Sequence, residues 1–357
     1  MINLQNCTVK DFLQMIENTK LICFCAGQKL YELCERFHLA DQILYVVDNF
    51  KSGQVLDIDS IKIPVRAMNE LDEECHKAVC VITSMGFADE MIQQLDALPV
   101  CNDLRVYVYE LLKEDGEIFD WKQNEPLVIP KKIHYCWFGS QKMPEYFKEN
   151  IETWRRYCPD YEIIEWNEKN YDVSKNDYMY QAYQYNKWGF VPDYARLDII
   201  NTYGGIYLDT DVQILKPFDV LLQYGFFCGF ENSSSVNFGQ GFGAVPNHPV
   251  IQDMLNQYEK LEFIQSDGSL NMIPSPIYQT EILEKWGLEK NGQIQQTEHY
   301  LVLSSLFFSP VNEFGFGIPT ADTFSIHQYA ATWYDEEQRK RKEKIIHNYE
   351  MIQKRIG

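Results

Sequence analysis

The chain has 357 residues, of which 45% are hydrophobic and 24% charged, and its formal net charge is −20. A surface this acidic repels the phosphates of nucleic acids, so we expect no nucleic-acid partner. The ten cysteines lack zinc-ligand spacing and predict reduced, mostly buried thiols in the cytoplasm rather than a disulfide framework. The amino terminus has no signal-peptide pattern, and no apolar run approaches the roughly 18 residues of a membrane span.

The first part of the chain, residues 1–125, alternates short apolar runs with segments of helical periodicity. Four of the runs have the composition of buried strands, and they lie at 20–27, 42–49, 78–84 and 104–109. Strands that alternate with helices favour a small parallel sheet, so we predict an α/β domain of the Rossmann-like type.

The first strand of this domain leads into a turn that resembles a nucleotide-binding loop. The sequence ICFCAGQKLYEL keeps Gly27, but Lys29 and Glu32 stand where the G-x-G-x-x-G pattern has small residues. Such side chains keep a pyrophosphate away from the backbone. We therefore expect a degenerate accessory domain with a structural, regulatory or docking role and without bound NAD.

A polar, turn-rich segment at 114–126 predicts a domain boundary near residue 125. The β/α pattern then starts again, with a strand at 131–139, an amphipathic segment that ends at Pro159 and a strand at 161–167. We therefore divide the chain into an accessory domain at 1–125, a second α/β domain at 126–335 and a charged helix at 336–357.

One stretch, WGFVPDYARLDIINTYGGIYLDTDVQIL, combines several local signals. Pro192 suits the first turn of a helix. Asp193 and Arg196 are spaced so that they share one face of that helix. Gly204 and Gly205 then end the helix and allow a sharp turn.

The segment IYLDTDVQIL, which follows the glycine pair, predicts a strand. Asp209 and Asp211 would share one face of it, because alternate side chains of a strand point the same way. Two buried carboxylates need a cation between them, and oxygen ligands without sulfur suit Mg²⁺ or Mn²⁺. The pair therefore predicts a divalent cation that binds the phosphates of a diphosphate ligand.

This stretch resembles the glycosyltransferases with a DxD motif, in particular family 32, and more distantly the clostridial toxin glucosyltransferases. The resemblance covers residues 129–335 and includes the blocks IPKKIHYCWFG, NHPVI and HQYAATW. It implies a GT-A-type fold, a nucleotide-sugar donor, Mn²⁺ or Mg²⁺ as cofactor and transfer with retention of the anomeric configuration.

The resemblance also implies roles for particular residues. Asp209 and Asp211 would hold the metal and the ribose or diphosphate of the donor. Asp193 and Arg196 would bind the hydroxyl groups of the donor sugar, and these four residues form the predicted catalytic set. Trp137 would stack on the nucleotide base.

Four more residues would complete the site. His327 would be a metal ligand and would close the site over the diphosphate together with Trp333. Thr332 stands where the family commonly has serine, so a hydroxyl group is retained. Asn237, in the loop NSSSVNFGQGFGA, would contact the donor sugar. Packing is the alternative role for His327, and a turn is the alternative for Asn237.

Structural alternatives are open for the other residues as well. Asp193 and Arg196 could form a surface ion pair, and Trp137 could be a core aromatic residue. His134 alternates with the apolar side chains of its strand, and we predict a structural role for it.

Two other functions are alternatives to glycosyl transfer. In a phosphatase of the haloacid-dehalogenase type, Asp209 would be the nucleophile and Asp211 the acid and base. The second alternative is a protein that binds a nucleotide sugar without catalysis.

We predict a cytoplasmic hexosyltransferase of capsular polysaccharide or glycoconjugate synthesis. UDP-glucose and UDP-galactose are the favoured donors, ahead of GDP-mannose, and the acceptor would be a saccharide or a glycolipid. The basic run RKRKEK in the carboxy-terminal helix is predicted to be solvated, with weak contact to the inner face of an anionic membrane as the alternative.

Overall fold

The computed structural model describes residues 1–113, 119–122, 125–139, 141–330 and 336–356. The chain forms two compact units, Met1–Glu117 with Tyr334–Gly357 and Ile118–Trp333. Each unit contains its own β-sheet and its own core of buried hydrophobic side chains.

The first unit is built on a mainly parallel sheet. Its strands are β1 (Asn3–Gln5), β2 (Leu21–Phe24), β3 (Ile43–Val47), β4 (Val55–Ile58), β5 (Ile61–Arg66), β6 (Val79–Ile82) and β7 (Arg105–Val108). The helices α1 (Val9–Ile16), α2 (Gln28–Phe37) and α3 (Ala88–Ala97) alternate with them. The strand order is β1–β7–β6–β2–β3–β5–β4, and the neighbours are parallel except for β4 and β5. The predicted Rossmann-like α/β arrangement is confirmed.

The central strands of this sheet carry buried side chains throughout, as β2 and β6 show. Such strands are apolar because helices cover both faces of a parallel sheet. Nine of the ten cysteines are buried, and no disulfide joins the ten, which agrees with the predicted reduced thiols. Burial and then the charge of Asp48 raise the pKa of Cys25 to about 12, so this thiol stays protonated at neutral pH.

The turn after β2 is closed by hydrogen bonds within the chain. Asp48 accepts a hydrogen bond from the amide of Ala26 at 2.9 Å, and its other carboxylate oxygen accepts one from the amide of Phe50 at 2.9 Å. The Lys51 ammonium donates to the carbonyl of Ala26 at 2.6 Å. The Asp48 carboxylate therefore holds the turn through hydrogen bonds to its backbone. The absence of bound NAD remains a prediction.

The second unit contains a mixed sheet, also of seven strands, and a separate pair of strands. Its strands are β8 (Lys132–Cys136), β9 (Glu162–Trp166), β10 (Gly205–Tyr207), β11 (Val212–Ile214), β12 (Phe226–Gly229), β13 (Phe242–Ala244), β14 (Gln295–Gln296), β15 (Leu301–Leu303) and β16 (Ser325–His327). Its helices are α4 (Glu145–Tyr157), α5 (Asp177–Gln184), α6 (Val191–Tyr203), α7 (Pro249–Tyr258), α8 (Ser275–Lys285) and α9 (Ser305–Phe308). The main sheet has the order β14–β15–β12–β13–β10–β8–β9, whereas β11 and β16 form a separate pair.

The single strand predicted over the two aspartates is wrong. Strand β10 of the main sheet ends at Tyr207, and β11, which pairs with β16, begins at Val212. The chain turns between them, and the amide of Val212 donates to the carbonyl of Asp209 at 3.1 Å. The apolar residues before and after the turn keep the same alternation, at 206 and 208 and again at 212 and 214, so the pattern could not show that the chain changes sheets. Asp209 and Asp211 therefore converge through a turn and not through the pleat of a strand.

The helix that precedes this turn has the predicted ends. Pro192 lies in the first turn of α6, and Gly204 follows its last residue with a φ of +62°. Gly205 has a φ of +104°, and a Cβ there would lie 2.9 Å from the carbonyl oxygen of Lys132. Glycine is required at 205 because the backbone of β8 runs directly beside it.

The carboxy-terminal helix, α10 (Glu336–Ile356), belongs to the first unit. Its Asn348 amide donates to the carbonyl oxygens of Met85 at 2.9 Å and Gly86 at 3.2 Å. Ile345 and Ile352 are buried on the same side of the helix. The basic run is mostly exposed. In the part of the chain that the structure describes, no helix combines the length and the apolar character needed to cross a bilayer.

We expect Asn348→Ala to destabilise the first unit by about 1–3 kcal/mol, because it removes the buried amide group that donates two hydrogen bonds to the carbonyl oxygens of Met85 and Gly86. Urea unfolding of the full chain followed by circular dichroism measures the change. Glu350→Ala, on the exposed side of the same helix, is the matched control and should change stability by less than about 0.5 kcal/mol. Equal losses in the two variants would contradict the structural role of Asn348.

Candidate functional site

The centre of the candidate site is the turn that connects β10 to β11. The amide of Asp209 donates to the carbonyl of Gly239 at 2.9 Å. The Tyr207 hydroxyl donates to Oδ1 of Asp209 at 3.1 Å. The Asp209 side chain is 30% exposed and that of Asp211 is 13% exposed, so both can reach a ligand while the turn beneath them is held.

A buried arginine connects this turn to helix α6. Nη2 of Arg196 lies 3.3 Å from Oδ1 of Asp193 and 3.3 Å from Oδ1 of Asp209. The side chains of Arg196 and Asp193 are only 4% and 5% exposed, so the surface ion-pair alternative is wrong. The guanidinium also lies 5.0 Å from the centre of the Tyr207 ring.

The charges of this group are set by burial and by mutual attraction. Burial alone would lower the pKa of Arg196, but Asp209, Tyr207 and Asp193 raise it, so the guanidinium stays charged. Burial raises the pKa of Asp193 to about 6, against the opposing effects of Arg196 and of a hydrogen bond with Ser275. A carboxyl group with a pKa near neutrality is common in sites that bind or transform ligands.

Asp211 forms the second ion pair of the site, with a histidine on the neighbouring strand. Nε2 of His327 lies 3.2 Å from Oδ1 of Asp211, and the amide of Ala330 donates to Oδ2 at 2.9 Å. Burial favours the neutral form of each partner, but their attraction dominates, so the pKa of Asp211 is lowered and that of His327 is raised. The antiparallel pairing of β11 with β16, which sets Val212 opposite His327, brings them together.

The same residues fit a divalent cation. Asp209, Asp211 and His327 each offer one ligand atom, and these atoms lie within 4.8 Å of one another. Nδ1 of His327 is buried and has no hydrogen-bond partner among the described residues. Two carboxylates and an imidazole form a donor set that binds divalent first-row metals. The predicted grouping of His327 with the two aspartates is therefore present.

Trp137 lies beside helix α4. Its side chain is half-buried, its ring centre lies 5.4 Å from that of Phe147, and its indole Nε1 donates to the carbonyl of Gln141 at 2.8 Å. It is not among the buried hydrophobic side chains of the described residues. Base stacking stays a prediction. Thr332 and Trp333 lie outside the described residues.

His134 has the structural role that its position in the sequence predicts. It is fully buried. Its Nδ1 accepts a hydrogen bond from the indole of Trp166 at 3.0 Å, so Nε2 carries the proton and donates to the carbonyl of Gly204 at 3.0 Å. Burial lowers the pKa of His134 to about 4, the bond to Gly204 opposing the shift. The ring is neutral, and its hydrogen bond to Gly204 connects β8 to the end of α6.

Asn237 lies close to the turn but points into its own loop. Its Nδ2 donates to Glu231 at 2.7 Å, and its Oδ1 accepts from the amide of Gly239 at 2.7 Å. The loop is thereby joined to Asp209, whose amide donates to Gly239. Direct contact of Asn237 with a donor sugar stays a prediction.

Several residues that support the turn were missed in the sequence. The Asn150 amide on α4 donates to the carbonyl of Thr210 at 3.0 Å and to the side chain of Gln328 at 3.2 Å. The backbone amide of Gln328 donates to the carbonyl of Asp211 at 2.9 Å. A polar residue in the apolar stripe of α4, which contains Phe147 and Trp154, was the available signal for Asn150. Nothing local marks Gln328.

The geometry defines an α/β protein with paired aspartates at a turn and a buried Asp-x-x-Arg pair beside them. Residues 144–227 match the family model described as glycosyltransferase sugar-binding region containing DXD motif. This part of the chain is therefore similar to such a region, and the predicted resemblance to DXD glycosyltransferases is confirmed.

Curated relatives agree with this assignment. Mannosyl phosphorylinositol ceramide synthase SUR1 of Saccharomyces cerevisiae is 28% identical over 197 residues, which cover 52% of this chain and 51% of the relative. Inositol phosphoceramide mannosyltransferase 1 of Schizosaccharomyces pombe is 30% identical over 142 residues, covering 37% and 43%. The chain thus spans about half the length of these relatives or less. A crystal structure of a glycosyltransferase involved in the glycosylation of the major capsid of PBCV-1 superposes with a TM-score of 0.35 at 12% identity, over 60% of this chain and 98% of that one.

We expect the neutral His134 to make stability depend on pH. In the unfolded chain His134 takes up a proton near pH 6.5, whereas in the folded protein its pKa is about 4. Its contribution is therefore fully present above pH 6.5 and is lost as the pH falls toward 4, by at most about 3 kcal/mol. Urea unfolding between pH 7 and pH 5 should show a smaller loss in His134→Gln than in the wild-type protein. Identical pH profiles would contradict this assignment.

Proposed function

We propose that this chain is a metal-dependent glycosyltransferase that transfers a hexose from a nucleotide sugar to a glycoconjugate or polysaccharide acceptor. The observation that carries the proposal is the convergence of three carboxylates on one buried guanidinium and one histidine. Asp193 and Asp209 share Arg196, and Asp211 pairs with His327. Such a site can hold a cation on one side and sugar hydroxyl groups on the other.

The metal and the donor sugar are assigned to different residues of the site. Asp209, Asp211 and His327 would hold Mn²⁺ or Mg²⁺, with Mn²⁺ favoured because imidazole is a poor ligand for Mg²⁺. The metal would neutralise the negative charge that develops on the departing nucleoside diphosphate. Asp193 would accept hydrogen bonds from the donor sugar, and Arg196 would donate to it.

We propose that the reaction retains the anomeric configuration by displacement on one face of the sugar. The bond between the anomeric carbon and the phosphate oxygen breaks, and the acceptor hydroxyl oxygen bonds to that carbon from the same side. The acceptor proton passes to the leaving phosphate. The buried carboxylates would stabilise the oxocarbenium-like transition state electrostatically. A covalent sugar–protein adduct that forms and decays at the rate of turnover would exclude this route.

The relatives change the order of the proposed donors. Those compared above are named for transfer of mannose and for inositol phosphoceramide, so GDP-mannose joins UDP-glucose and UDP-galactose as a leading candidate. A glycolipid acceptor is favoured by the same names, ahead of a capsular polysaccharide. The cytoplasmic location and the weak contact of α10 with a membrane stay predictions.

Binding and turnover of donors separate this proposal from its alternatives. We expect one nucleotide sugar to raise the melting temperature only when Mn²⁺ or Mg²⁺ is present. Chromatography should then show release of UDP or GDP from that donor, and EDTA should abolish the release. Capture of beryllium fluoride at Asp209 would instead favour the phosphatase. If a donor binds but its nucleotide is not released in the presence of any candidate acceptor, a non-catalytic protein is favoured.

Replacement of the aspartates tests their roles in turnover. We expect Asp209→Asn or Asp211→Asn to lower kcat by about 100- to 1,000-fold, because each change weakens the group that stabilises the leaving diphosphate. Steady-state release of nucleoside diphosphate measures the loss. Asp322→Asn, at an exposed position of the same unit, is the control and should keep wild-type turnover. Unchanged turnover in both aspartate variants would overturn the proposed site.

A further inference from the structure

We propose that Gly239 and Asn237 are positioning residues that orient the Asp209 carboxylate. The inference rests on the proposed function for its purpose, since Asp209 is a proposed metal ligand. The contacts from which it is argued involve only protein atoms. They do not require Asn237 to touch the donor.

Both backbone groups of Gly239 are engaged. Its carbonyl accepts the amide of Asp209 at 2.9 Å, and its amide donates to Oδ1 of Asn237 at 2.7 Å. The other side-chain group of Asn237, Nδ2, donates to Glu231 at 2.7 Å. The main chain of Asp209 is therefore fixed by a hydrogen-bonded series that runs through Gly239 to Asn237 and ends at Glu231.

Gly239 also leaves the space that the Asp209 carboxylate fills. A Cβ at 239 would overlap Oδ2 of Asp209 and would lie 3.1 Å from its Cγ and 3.0 Å from Oδ1 of Asn237. The φ angle of Gly239 is outside the left-handed region, so the backbone itself would accept an alanine. Glycine is thus required at this position by the approach of the carboxylate and not by backbone conformation.

The loop cannot withdraw to make room, because helix α8 holds it from behind. The amide of Val236 donates to the Thr280 hydroxyl at 3.1 Å, and the amide of Phe238 donates to Oε1 of Gln279 at 2.9 Å. Gln279 and Thr280 are 2% and 5% exposed, and Phe238 is fully buried. A side chain added at 239 must therefore move the Asp209 carboxylate rather than the loop.

The first experiment compares two glycine-to-alanine variants. Gly239→Ala should weaken Mn²⁺ binding by about ten- to a hundredfold, as loss of an outer-sphere support does elsewhere. Gly225→Ala is the matched control, since its Cβ would lie 3.7 Å from His248 in ordinary contact, and it should bind Mn²⁺ like the wild-type protein. Electron paramagnetic resonance with Mn²⁺ alone measures both affinities. Equal affinity in Gly239→Ala and wild-type protein would overturn the inference.

The second experiment needs no metal and uses a double-mutant cycle. We expect Gly239→Ala to lower the melting temperature in the wild-type background but much less in the Asp209→Ala background, where the added methyl group has room. An equal shift in both backgrounds would overturn the inference. If the wild-type protein binds no Mn²⁺, the proposed metal dependence fails, and this cycle alone decides the positioning role.

A third variant tests the hydrogen bonds separately from the steric contact. Asn237→Ala removes the acceptor of the Gly239 amide and should also weaken Mn²⁺ binding. If Asn237 acted only on the donor sugar, its replacement would raise KM for the nucleotide sugar and leave the affinity for Mn²⁺ unchanged. That result would remove Asn237 from the positioning role.

Discussion

The site depends on the buried guanidinium group of Arg196, which is shared by two carboxylates. Arg196 lies on α6, between Asp193 of the same helix and Asp209 of the turn after β10. A guanidinium this deeply buried is tolerated only while its partners stay in place, and removal of one member of such a group typically costs about 3–5 kcal/mol. The pairing therefore fixes the distance between the helix and the turn before any ligand arrives.

One helix behind the site aligns its two halves. At its start α8 places Ser275 against Asp193, and one turn later it places Gln279 against the loop that contacts Asp209. Residues four apart on a helix lie on one face, so a single rigid element supports both the proposed sugar side and the proposed metal side. A displacement of α8 would therefore reach both sides together.

The sequence predicted those parts of the site that depend on local spacing. The Asp-x-x-Arg pair and the glycine stop of α6 follow from helical geometry, and the paired aspartates follow from their motif. The support that Asn150, Gln328 and Gly239 give to the turn could not be predicted, because their contacts join segments far apart in the chain. The strand across Asp209 and Asp211 was predicted wrongly, because the pattern of apolar residues does not record which sheet a strand enters.

The pairing of β11 with β16 sets an order for assembly of the site. Asp211 accepts a hydrogen bond from the amide of Ala330, 119 positions later in the chain, and its ion-pair partner His327 is the last residue of β16. Contacts of such long sequence separation form late, because the intervening chain must first be ordered. During synthesis the ribosome must release nearly the whole second unit before Asp211 gains its partners. A nascent chain thus holds the aspartates of the motif well before it can form the proposed cation site.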